Sequence, residues 1–238
     1  MPSLLLLPGL MCDASVWAPQ VAALSPQTRC HVPDYGLRDS LTAMAQQVLD
    51  EAPEERFALA GHSMGGRVAL EVLRLAPQRV SHLALLDTGT HPLAAGVAGD
   101  KERAGRLALL AVAHAQGMRA MGQQWLRGMV HPNVVDTPLF DAMLAMLARS
   151  SPAQFAAQIQ ALLDRPDAGP QLPAVNCPTL VLTGRQDAWS PPEQHAQMAQ
   201  AIPGARLCIV EDCGHMSTLE QAGAVSAALA DWLSRPSA

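Results

Sequence analysis

Phe57-Ala58-Leu59-Ala60-Gly61-His62-Ser63-Met64-Gly65-Gly66 runs from an apolar, strand-like segment through Gly-x-Ser-x-Gly into a segment of helical character that stops at Pro77. Gly-x-Ser-x-Gly alone would arise by chance in about one chain in ten of this length, so the flanking strand and helix carry the reading. A serine is a poor nucleophile unless its hydroxyl stands clear of the backbone beside a base. A sharp strand-to-helix turn presents it so, at some cost in backbone strain. The residues two before and two after the serine then approach too closely for side chains, which accounts for Gly61 and Gly65. The helix points its amino end at the site, leaving the Met64 N–H free for a developing oxyanion. Without that context the segment would be a glycine-rich turn with a surface serine.

Outward from this turn, short apolar runs alternate with helical segments. The runs at 4–7, 57–60, 82–86, 179–182 and 207–210 each stop at a polar or glycine loop. Their near-uniform apolarity suits strands covered on both faces. Ser40 is placed to cap a helix over Leu41–Glu51. Ser190-Pro191-Pro192-Glu193 reads as a capping box opening a helix that runs to Pro203-Gly204, and Ser217-Thr218-Leu219-Glu220 as a second box opening the C-terminal helix. The alternation predicts a mostly parallel, doubly wound α/β sheet. The stretch 90–172 breaks the rhythm with a helical Leu/Ala/Met pattern punctuated by Pro132, Pro138, Pro152 and Pro166. Roughly 80 residues is too long for one crossover. A helical cap over 90–172 is therefore expected on the carboxyl ends of the strands, where ligands bind in open α/β sheets, with 1–89 and 173–238 forming the core. A pair of ordinary crossover helices is the plainer alternative.

Composition narrows the function classes. The chain has 238 residues, 49% hydrophobic and 16% charged, with net charge −5 and Lys101 as its one lysine. Such a chain buries a sizeable core, and nothing in it forms the basic patch that nucleic-acid binding requires. Five cysteines make an odd count without a Cys-x-x-Cys pair, which favours reduced thiols and a cytoplasmic setting. The 4–7 run has no basic residue before it and is too short to span a bilayer, so it reads as a strand rather than a targeting signal. There is no His-Glu-x-x-His, Walker A or Gly-x-Gly-x-x-Gly motif, and neither a metal nor a cofactor is expected. A small-molecule substrate is expected, without nucleic acid or membrane, and a homodimer is left open.

Leu7-Pro8-Gly9-Leu10, the Gly61–Gly66 turn, Leu182-Thr183-Gly184-Arg185-Gln186-Asp187 and Gly214-His215 together resemble the α/β-hydrolase fold superfamily, in particular its small bacterial esterases and lactonases. The set lies within residues 4–220, in the Ser, Asp, His order that fold requires. The resemblance implies an α/β-hydrolase fold with Ser63 as nucleophile, His215 as base and Asp187 as the acid that fixes the histidine tautomer. Asp87, after the strand that follows the nucleophile's, is the other acid position used in the superfamily, but Gly-Arg-Gln-Asp matches the commoner one. The oxyanion donors implied are the N–H groups of Met64 and Leu10, with Met11 second to Leu10. Where relatives read His-Gly-x this chain has Pro8-Gly9-Leu10, which keeps the backbone donor and loses the usual side-chain anchor. Relatives commonly place two strands before this one, where here only Met1-Pro2-Ser3 precede it. About six strands are therefore expected, without the first two of the usual eight, and with the 28–33 segment near one edge. His62 should point away from the serine and act structurally.

Methionine placement is the substrate clue. Met118, Met121, Met129, Met143 and Met146 fall in the expected cap, while Met11, Met64 and Met216 adjoin the oxyanion donor, the nucleophile and the base. Flexible, polarizable side chains suit an apolar pocket, here assigned to Met11, Met118, Met121, Trp125, Met216 and Trp189. The plainer reading is a helical core filled with methionine. Arg185 and Arg119 read as solvated, and Cys12 and Cys213 do not occupy the nucleophile's turn. The function expected is a serine hydrolase that cleaves a small carboxylic ester or lactone with an apolar group, through an acyl-enzyme on Ser63. C–C bond hydrolysis of diketones, or acyl transfer and perhydrolysis, would use the same triad, and a non-catalytic ligand-binding module is the remote third reading.

Overall fold

The computed structural model describes residues 3–236. Among them, six strands form one wholly parallel sheet: β1 (Ser3–Leu7), β2 (Arg29–His31), β3 (Phe57–His62), β4 (Val80–Leu86), β5 (Thr179–Gly184) and β6 (Arg206–Val210), in the order β2-β1-β3-β4-β5-β6. The 28–33 segment supplies the edge strand β2, as expected. The chain steps from β1 to β2 on one side and then returns to β3 on the other, so the loops after β1 and β3 diverge. That divergence opens a crevice at the carboxyl rim of the sheet. The register Leu7↔Gly61, Gly61↔Leu85 and Leu85↔Val181 sets the strand ends side by side. The loops carrying Leu10, Ser63, Asp87, Asp187 and His215 therefore meet at one rim.

The central strands are largely apolar because both faces are covered: β1, β3 and β5 are buried throughout. α1 (Ala18–Leu24) packs against α10 (Ala222–Leu233), and α2 (Leu41–Glu51) against α3 (Met64–Leu75). The two connections run in opposite directions across the sheet, so the fixed right-handed crossover puts α1 and α2 on opposite faces. Ser40 caps α2 by accepting the Ala43 N–H at 3.1 Å.

Between β4 and β5 the described chain is helical, with α4 (Val97–Gln116), α5 (Met118–Leu126), α6 (Pro138–Ala148) and α7 (Pro152–Leu163). Pro138 and Pro152 open their helices rather than break them. Thr137 and Ser151 cap those two helices ahead of the prolines, at the position where a missing N–H costs nothing. Both predicted capping boxes need correction. α8 (Pro192–Ala201) has Pro191 at its cap with no side-chain bond, and the Ser190 N–H instead donates to Asp187. Ser217 begins the four-residue α9 (Ser217–Glu220) and gives its hydroxyl to Asp87, and α10 starts only after a break at Gln221. At Ser217 the hydroxyl thus serves a buried carboxyl group instead of the helix's own amides. No helix among the described residues is long and apolar enough to cross a membrane.

Candidate active site

The turn between β3 and α3 is held against its own strain. Ser63 has φ 55° and ψ −117°, in a region that L side chains avoid at a cost of about 1–3 kcal/mol. Its N–H donates to Leu86 O at 2.8 Å, and the Thr88 hydroxyl donates to Ser63 O at 2.7 Å. A Cβ on Gly61 would stand 2.2 Å from Gly65 O, and one on Gly65 would stand 2.1 Å from Leu7 O. The glycines are thus required by backbone contact on both sides of the turn.

Ser63 Oγ lies 2.8 Å from His215 Nε2, and His215 Nδ1 donates to Asp187 Oδ2 at 2.8 Å. The second Asp187 oxygen accepts the N–H groups of Trp189 and Ser190, each at 2.9 Å. Burial alone would raise the Asp187 carboxyl, but the His215 charge and hydrogen bond, with those two amides, hold it below its ordinary value. Burial likewise works against a charged His215, and Asp187 overrides it, so the imidazole stays above its usual range. Asp87 sits beneath this chain, wholly buried, accepting the Gly184 N–H at 3.1 Å and paired with the Ser217 hydroxyl. Burial and then the Asp187 charge push its carboxyl well up. His62 points away from Ser63. Burial, then the His215 charge, lowers it to about 4, so its neutral ring donates Nε2–H to His215 O at 2.8 Å.

Leu10 and Met64 line the cavity beside Ser63. The Met11 N–H is committed elsewhere, donating to Gln158 Oε1 on α7 at 2.7 Å. That bond anchors the Pro8-Gly9-Leu10 loop where the usual histidine is missing. The cavity, of about 410 Å³, is walled on one side by the sheet-rim loops and on the other by the helices between β4 and β5. Trp125 and Trp189 both line it, in an edge-to-face pair 6.2 Å apart. An adjoining, more apolar space of about 510 Å³ shares Leu10, Trp125 and Trp189 and adds Leu109 and Phe155.

The sequence matches the model of the alpha/beta hydrolase family over residues 4–228. The chain belongs to this family. It is 29% identical over 217 residues to the 2-hydroxy-6-oxononadienedioate/2-hydroxy-6-oxononatrienedioate hydrolase of Escherichia coli, a match that spans 84% of this chain and 70% of the relative. Its fold is similar to that of a thermophilic esterase from Thermogutta terrifontis, with TM-score 0.87 and 26% identity over 98% of this chain and 89% of the other. It is also similar to the enol-lactonase of Burkholderia xenovorans, with TM-score 0.83 and 26% identity over 98% of this chain and 92% of that one.

Within this hydrolase the structure redraws the pocket. Met11, Met118, Met121 and Met216 are buried away from the cavity, and Met64 and Met129 are the methionines that line it. Helical spacing fits a core-facing stripe as well as a pocket-facing one, and here the core takes most of it. The arginines singled out in the sequence lie at the surface, Arg185 paired with Glu211 at 2.6 Å and Arg119 with Asp141 at 3.8 Å. The arginines lining the cavity are Arg67, Arg106 and Arg165. Of these, only Arg67 had a signal, since it lies one helical turn beyond Ser63. Burial pushes the Cys12 thiol up to about 12 and raises that of Cys213 further, so neither is a thiolate. Glu220 was missed as an anchor of the His215 loop: it accepts the N–H groups of His131, Gly214 and Met216 at 2.7, 3.0 and 2.9 Å. Gln158 left no sequence signal, being 147 residues from Met11. Gln158→Leu should leave that buried N–H unpaired, at a cost of about 1–3 kcal/mol. Turnover should fall about tenfold as the Leu10 loop loosens. Urea unfolding and kcat measured together check both effects.

Proposed function

We propose that this hydrolase cleaves a small carboxylic ester or lactone through an acyl-enzyme on Ser63. The observation that carries the reading is the unbroken hydrogen-bonded run from Ser63 Oγ through His215 to Asp187, at 2.8 Å in both steps. Ser63 Oγ attacks the carbonyl carbon and its proton passes to His215 Nε2, while Asp187 stabilises the imidazolium. The carbonyl oxygen becomes an oxyanion facing the N–H groups of Leu10 and Met64, a contact worth about 10²–10³ in rate per donor. The C–O bond then breaks and His215 returns the proton to the departing oxygen. A water deprotonated by His215 releases the acid and restores Ser63. The helices of 90–172 act as a cap, and the space by Leu109 and Phe155 receives the apolar part of the substrate. Five free thiols support a cytoplasmic setting.

The esterase and enol-lactonase likenesses support the ester or lactone reading. The Escherichia coli relative favours a second one: the oxo-dienedioate in its name contains no ester, so its hydrolysis breaks a C–C bond. The two separate in one assay, p-nitrophenyl esters from acetate to decanoate beside fluorophosphonate labelling. Turnover that depends on Ser63 and peaks at a definite chain length supports the esterase. Labelling of Ser63 without ester turnover moves the assignment to C–C hydrolysis, and no labelling leaves a binding module.

A further inference from the structure

The wall of the Ser63 cavity carries an unbalanced set of charges. Arg67 on α3, Glu102 and Arg106 on α4, and Arg165 just beyond α7 all line it. Glu102 serves two of the three guanidinium groups. Arg165 Nη1 and Nη2 donate to its two oxygens at 2.8 and 2.9 Å, and Arg106 Nη2 lies 2.9 Å from Oε1. Arg165 is locked further by donating to Leu162 O at 2.7 Å and His91 O at 3.2 Å. Arg67 is the odd one. It donates Nη1 to His91 O at 2.9 Å, and among the described residues no carboxylate stands within ion-pair distance of it. The other acid on the wall, Asp87, has both oxygens engaged, by the Gly184 N–H and the Ser217 hydroxyl. Three guanidinium groups thus have between them a single carboxylate within ion-pair distance, in a partly desolvated space. Burial, then the Arg165 charge, pulls Arg67 down to about 9.

A half-buried guanidinium without a counter-charge costs free energy that an arriving anion recovers. With His91 using one of its five N–H donors, Arg67 still has donors to offer. The planar fork of a guanidinium matches the two oxygens of a carboxylate. Glu102 holds Arg106 and Arg165 close together against their mutual repulsion, which keeps positive potential behind Arg67.

We propose that Arg67, backed by Arg106 and Arg165, forms a carboxylate subsite in the Ser63 cavity, and that the substrate carries a free carboxylate in addition to the bond that is cleaved. The proposal rests on the reading of Ser63 as nucleophile and makes the substrate amphipathic, its apolar part lying by Leu109 and Phe155 and its charge by Arg67.

Two measurements test it independently. The first compares kcat/KM for mono-4-nitrophenyl adipate and 4-nitrophenyl hexanoate, esters of equal chain length that differ by a terminal carboxylate. Wild type is expected to favour the charged ester by about 10- to 100-fold, the worth of charge-assisted hydrogen bonds. Arg67→Met should bring the ratio near one, and Arg67→Lys should keep part of it. The second is calorimetric titration of adipate into Ser63→Ala protein, which needs no turnover, with and without Arg67→Met. Adipate binding that weakens at least about tenfold on removing Arg67 supports the subsite even if neither ester is cleaved, in which case the ester reading alone fails. Equal kcat/KM for the two esters without adipate binding overturns the subsite and leaves the ester reading standing. Thermal melting checks the fold of Arg67→Met, and Arg106→Gln takes its place if that variant does not fold.

Discussion

Ser63→Ala is expected to lower kcat by about 10⁴- to 10⁶-fold, the range found when the nucleophile of a hydrogen-bonded triad is removed. The loss is large because no other group can replace Oγ. The nearby thiols are buried with raised pKa, and among the described residues Ser63 Oγ is the one side-chain group hydrogen-bonded to His215 Nε2. The fold should survive. The turn is held through the Ser63 backbone, by Leu86 O, the Thr88 hydroxyl and the approach of Gly61 and Gly65, and alanine keeps all of these. A p-nitrophenyl ester turnover assay beside circular dichroism reads both halves of the prediction. Activity near wild type in a well-folded Ser63→Ala protein would remove Ser63 as the nucleophile.

Asp187→Asn should cost about 10⁴-fold in kcat, whereas Asp87→Asn should cost less than about tenfold. The two acids stand at the same rim, but their environments separate them. Asp187 accepts from His215 Nδ1 and two backbone amides, which favour its charged form. An asparagine there would present an N–H toward Nδ1 or force the wrong tautomer on the ring. Asp87 bonds Gly184 and Ser217 rather than His215, and burial and the Asp187 charge push its carboxyl up. Asparagine keeps the oxygen that accepts from Gly184, and its amide can donate to the Ser217 hydroxyl in place of the bond that hydroxyl now gives to Asp87. The pH profile adds a second reading of the same pair. His215 must be neutral to accept a proton, and Asp187 raises its pKa above the ordinary 6.5. Activity should therefore climb with pH through a midpoint above 6.5, and in Asp187→Asn the midpoint of the residual activity should move down. In stability the signs differ. The His215 contribution is complete below about 6.5 and fades as pH rises through its elevated folded pKa, and the Asp187 contribution is present above about 3.9 and fades as pH falls through its depressed one. The reverse ranking of the two asparagine variants would move the acid to Asp87.

Much of this was legible in the chain because it is written locally. A strand covered on both faces must be an unbroken apolar run, as at 57–60. A strained turn must place glycine where backbones touch, as at Gly61 and Gly65. The order of Ser63, Asp187 and His215 follows from which strand each loop ends. Local reading of the helix caps failed: the Ser217 hydroxyl is taken by Asp87 from a distant loop, and Ser190 lies one residue ahead of the Pro191 cap, its N–H bonded to Asp187 in its own loop. Methionine spacing failed for another reason, since a helical stripe has the same period whether it faces the core or a cavity.

The sequence by itself determined the sheet, the turn that presents Ser63 and the reading of the Ser-His-Asp order, since each rests on steric and hydrophobic constraints among residues close together in the chain. Only the tertiary structure decided what surrounds Ser63. The Gln158 anchor and the cluster of Arg67, Glu102, Arg106 and Arg165 come from α3, α4, α7 and the loop beyond it. Charge balance in a cavity is a sum over groups that folding brings together, and no periodicity along the chain encodes that sum.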